Sequence, residues 1–168
     1  LVSDAGVLKR VDYSHIKGAG KIGQVVSTTK TDTTTLTSGS MSDISGMTVA
    51  ITPSAASSKV LVLVNITVQG TSTNFNQIQI VRGSTAIAIG DAAGSRVRST
   101  FSWRSQDSSD PVGFSMNFLD SPSSTSATTY KLQGMSEGTI YLNRGQTDTD
   151  ADYQGRTVST ITAMEVLA

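Results

Sequence analysis

Asp148, Asp150 and Asp152 are the side chains best spaced to hold a metal, within residues 147–155. Alternating carboxylates open a calcium loop, where hard oxygen ligands converge as the backbone curls. The pattern then departs from such a loop. Glycine falls at the eighth place from Asp148 rather than the sixth, and the twelfth is Ser159 where a bidentate Glu is needed. The competing reading is an exposed acidic turn. His15 is the single histidine, so a site built on two imidazoles is excluded. With Asp4 or Asp12 and one of many serines it could be drawn as a triad, but no G-x-S-x-G elbow is present. A carboxylate pair for glycoside hydrolysis needs two carboxyls about 5–10 Å apart. The two glutamates are poor candidates: Glu137 lies in a Ser-Glu-Gly turn and Glu165 near the chain end. Gly18, Gly20, Gly90 and Gly94 belong to no phosphate-loop motif and read as hinge and turn residues. The chain is expected to be no enzyme and to carry no cofactor.

Side chains suited to contact are easier to find. Phe101 and Trp103 alternate with Ser102 and Arg104, the pattern of a half-buried strand, so both rings are expected in the core. Phe75 and Tyr153 stand in polar surroundings, Thr-Asn-Phe-Asn and Asp-Tyr-Gln, and are better placed to touch a sugar or a protein. Arg96 and Arg98 share a face of a strand candidate that Arg104 closes. The polar loops 70–76, 104–111 and 120–128 are the expected contact surfaces, with Phe75, Arg104, Asp107 and Tyr153 as receptor-binding residues.

These residues need a scaffold, and the composition names its class. Ser and Thr supply 25 and 23 of the 168 residues, Glu only 2, and β-branched residues are abundant. Helix formers are scarce, so the fold is expected to be all-β. Period-2 patterning places strands at 22–29, 33–37, 47–52, 59–69, 75–82, 85–89, 97–104, 112–119, 130–134, 139–143 and 157–166. Residues 60–64 are apolar at every position, as in a strand covered on both faces. Short strands with turns between them imply an antiparallel two-sheet sandwich, jelly-roll-like. Residues 1–20 differ in character and read as a connecting arm, with 21–168 as the domain. Leu1 is no initiator Met, and no basic stretch leads into an apolar one, so a processed or carboxy-terminal piece of a longer product is expected rather than a leader. No Cys is present, which excludes disulfides and thiolate sites. Thirteen basic residues balance thirteen acidic ones, so no nucleic-acid partner and no membrane insertion are expected.

Three stretches carry a resemblance. GVLKRVDYSHI resembles the end of shaft modules in tail fibres of marine bacteriophages, cyanophages especially. KIGQVVSTTKTDT resembles the first strand of the carboxy-terminal domain that follows in such fibres, and LNRGQTDTDADYQGRTVSTITAMEV its last hairpin and final strand. The resemblance implies a homotrimeric β-sandwich head at the virion surface, joined to other virion proteins through residues 1–20 and attaching to a host surface glycan or protein. Capsid decoration is the alternative, and a secreted carbohydrate-binding module a third.

Overall fold

The structure, a computed structural model, describes residues 2–4 and 7–9 as backbone and residues 20–168 with their side chains. Strands β1 (Val2–Asp4) and β2 (Val7–Lys9) pair with each other as a separate antiparallel ribbon. They fall in the stretch read as an arm. Runs of three residues are too short to show a period, so patterning does not reveal them. His15 and Asp12 lie outside the described residues.

Two larger sheets follow. The first contains β3 (Ile22–Lys30), β4 (Thr34–Leu36), β6 (Lys59–Gly70), β10 (Val112–Asp120), β12 (Ile140–Leu142) and β13 (Ser159–Val166). Strand β6 is its spine: β10 runs along one edge, while β13 and then β12 share the other. Strand β3 pairs beyond β13, and β4 beyond β12. The second sheet contains β5 (Ser42–Ile51), β7 (Phe75–Arg82), β8 (Thr85–Ile87), β9 (Phe101–Arg104) and β11 (Thr128–Ser136) in the order β5-β11-β7-β8, with β9 also on β7. Every pairing is antiparallel, and no helix occurs among the described residues. The all-β, two-sheet expectation therefore holds.

The inner faces meet in one core. Val60, Val62, Val64, Ile66 and Val68 of β6 oppose Ile78, Ile80, Tyr130 and Leu132 of the second sheet, all at most 2% exposed. Burying such side chains is the main stabilising term, about 1.5–3 kcal/mol for each. Phe101 and Trp103 pack on this core beside Phe114, with ring centroids 5.1 and 5.2 Å away.

Three strand expectations change. Strand β5 starts at Ser42, five residues before the expected 47, because Gly46 at φ +80° lets the strand continue through an irregularity opposite β11. Strand β9 is only Phe101–Arg104. Strand β8 already holds the edge of β7 at Ile80–Arg82, and the Thr100 hydroxyl takes the N–H of Ile80, so 97–100 has no ladder to join. Arg96 and Arg98 thus share no strand face; they tie their own loop, donating to Ala93 O and Gly90 O. Finally, the chain by itself covers 60–64 on one face only. Leu61 and Leu63 point outward and remain half-buried.

Candidate functional site

Chain entry fixes the two ends of the sandwich. Gly20 N donates to Leu167 O, and Val166 pairs with both Ile22 and Lys59, so the domain is entered and left at the Lys59 end of β6. The Gly70 end is opposite, and there three loops are knit together. Thr73 N donates to Ser105 O (2.8 Å), and Ser105 N to Asn74 O (3.2 Å). The third loop joins through Ser72 N to Gln146 Oε1 (2.9 Å) and Thr147 N to Ser108 O (3.1 Å). Loop 120–128 does not share this end. It starts from Asp120, which pairs with Val60 at the entry side.

The floor of the cluster is a buried polar network. Asn76 is fully buried; its Nδ2 donates to Asn74 O (3.0 Å), and its Oδ1 accepts from Ser136 Oγ (2.8 Å). Ser105 Oγ accepts from Gly70 N (2.9 Å). A Cβ at Gly70 would collide with the Asn76 amide, so glycine is required there. Gln69 Nε2 donates to Asp107 O (2.6 Å), which pins the second loop to β6. Unpaired, such buried groups would each cost about 1–3 kcal/mol. Composition did not reveal this network. The legible signal was parity: Asn76 falls in step with Ile78 and Ile80, and Ser136 with Leu132, on the inward faces of their strands.

On this floor stand two of the expected contact residues. Phe75 is 50% exposed, and the Arg104 guanidinium lies 5.5 Å from its ring centroid. Arg104 Nε donates to Thr73 O (2.9 Å), and the Glu137 carboxylate accepts from Phe75 N (3.2 Å). Thr73 itself sits at φ +68°, a conformation that a β-branched residue rarely adopts and that costs about 1–3 kcal/mol. The knitted loops hold it there. The result is an aromatic ring with a cation beside it and a carboxylate on its own N–H, held on a fixed backbone. Such a group offers apolar contact together with hydrogen-bond donors and acceptors.

The other expected residues are placed differently. Asp107 turns back on its own loop, its Oδ1 accepting from Ser109 N (3.0 Å). Tyr153 is 75% exposed, in the third loop. Of the acidic run, Asp148 is engaged by Arg156 (2.7 Å) and approached by Arg144 (3.8 Å). Arg144 also lies 4.6 Å above the Tyr141 ring. Among the described residues no three His, Cys, Asp or Glu side chains gather as a metal-binding group.

The glutamates lie at opposite ends. Glu137 is exposed at the loop end, whereas Glu165 is 2% exposed at the entry end. Burial pushes Glu165 up, but the hydroxyl and backbone N–H of Ser54, both 2.6 Å from its Oε1, prevail and hold it below the usual 4.5. Near it, Arg82 donates to both oxygens of Asp120 (2.9 Å each), and Tyr130 Oη donates to Oδ2 (2.7 Å). Burial, with the anion beside it, raises the Tyr130 phenol far above its ordinary value of 10.0. No described helix is long and apolar enough to cross a membrane. No known family model matches the chain, and no curated protein matches it.

Proposed function

We propose that the chain is a non-enzymatic structural protein of a bacteriophage particle, the homotrimeric head domain of a surface fibre or spike. In this reading residues 1–20 join it to the rest of the particle, and the loop end away from the entry attaches to a host surface glycan or protein. One observation carries it: the knitted loops present Phe75 and Arg104 together on the side farthest from where the chain enters. Rigid scaffolds with contact side chains on gathered loops are how binding modules are built. Aromatic and Arg anchors dominate such interfaces. The fibre assignment adds the resemblance of the terminal stretches to cyanophage fibre segments.

The test is adsorption of the full chain to marine cyanobacterial cells, against a Phe75→Ala plus Arg104→Ala variant. Loss of two anchors should weaken adsorption at least about tenfold. Undiminished adsorption by the folded variant removes the attachment site from this end. A wild-type chain that binds empty capsids and no cells replaces attachment with capsid decoration.

A further inference from the structure

We infer that the outward face of β3, β13, β6 and β10 is a self-association surface, covered in the assembled protein by a second copy of this chain. The strand register draws a row straight across the four strands: Val25 pairs with Met164, Met164 with Leu61, and Leu61 with Leu119. Val25 is 52% and Leu119 46% exposed. Beside the row, Leu63, Asn65, Ser115, Asn117 and Thr160 line a shallow groove. Lys59 is the one charged residue among the outward positions of these four strands, in a chain with 26 charged residues.

Three arguments make the occupant a second copy. A face whose single charge, Lys59, lies at one end packs against copies of itself with little like-charge repulsion, and depletion of charge marks the centre of protein interfaces. Strands β3 and β10 are the two free edges of this face, yet they lack outward charges and proline, the usual guards against edge association. Area agrees as well. Four strands about 4.8 Å apart and seven residues at about 3.3 Å rise give roughly 19 by 23 Å, about 440 Å² in projection. That is about half of the roughly 800 Å² per partner that specific interfaces bury, enough for the centre of one. This also accounts for 60–64, whose sequence asks for cover on two faces while one chain supplies one.

The inference deepens the homo-oligomeric part of the proposed function and is independent of the attachment loops. Its test is the mass of the full chain by light scattering between about 1 and 100 µM, at and above the µM end of the range for standard-size interfaces. The wild type should give a multiple of 17.5 kDa. Val25→Glu plus Leu119→Glu should give 17.5 kDa with an unchanged β-sheet circular dichroism spectrum, and Val97→Glu, at an exposed residue elsewhere, should leave the multiple intact. Should the charged variant fail to fold, Val25→Ser plus Leu119→Ser should still raise the concentration for half-dissociation at least tenfold. A monomeric wild type overturns the inference, and so does a multimer that neither double variant weakens. Adsorption to cells is scored separately, so loss of this surface and loss of the attachment reading are told apart.

Discussion

The two outward faces of the sandwich are each crossed by a row of register partners, and the rows are opposites. On the second sheet Gln79 donates to Gln133 (2.9 Å), Gln133 to Asp43 (2.7 Å), and Lys131 to the other oxygen of Asp43 (2.8 Å). On the first sheet the row is Val25, Met164, Leu61 and Leu119. Both faces point away from the core. The polar row satisfies its own groups and can remain in water, whereas the apolar row gains only when something covers it. Outward-facing is therefore a topological statement about a strand, and hydropathy says what lies beyond.

The largest test of that distinction uses neighbours. Leu119 and Asp120 are adjacent on β10, with the apolar side chain outside and the charged one inside. Asp120→Ala strands the Arg82 guanidinium and the Tyr130 hydroxyl, and should destabilise by about 3 kcal/mol in chemical denaturation. Leu119→Ser should cost the monomer less than about 1 kcal/mol, because half of the side chain is already in water. Equal costs would erase the contrast.

Acid comes next. Glu165 is held below 4.5, and Asp43 below 3.8 by its bonds from Lys131 and then Gln133. A carboxylate depressed on folding stabilises above its unfolded value, and that contribution is lost as pH falls through the folded one. Denaturation midpoints should drop below pH about 4.5, and Glu165→Gln should flatten the drop. The apolar row titrates nothing, so Val25→Ser should leave the slope unchanged.

Smaller still is Asp43→Ala. Its partners are solvent-accessible, so the loss should be at most about 1 kcal/mol, with no change in oligomeric mass. Last, 1 mM calcium should leave the melting temperature unmoved, since Asp148 is already engaged by arginine. A site with a dissociation constant near 10 µM would instead stabilise by about 2.7 kcal/mol. A rise abolished by Asp150→Ala would assign the acidic loop to a metal.

Alternation was enough to locate most strands. Isoleucines at 78 and 80, and aromatic rings at 101 and 103, sit on the faces that their spacing required. Phe75 and Tyr153 stood out because an aromatic among polar turn residues has no apolar face to join. The two-residue gap, Gly83 and Ser84, between the strands expected at 75–82 and 85–89 also marked a tight turn, and Gly83 takes the positive φ of 58° that closes Arg82 onto Thr85. These are local properties: a side chain's direction along a strand has a period of two whatever the strand is packed against.

Tertiary structure decided the rest. That 97–100 is no strand depends on β8 taking the edge of β7 first. That loops 70–76 and 104–111 meet, while 120–128 lies at the other end, depends on which strands pair and in which direction. That Asp148 is engaged follows from Arg144 four residues before it and Arg156 eight residues after it on the same folded loop. That Leu61 and Leu63 face outward uncovered depends on what the rest of the chain leaves free. Each is a matter of competition for a limited edge, end or face. Pairing is settled between residues far apart in sequence, where a period of two carries no information about the partner.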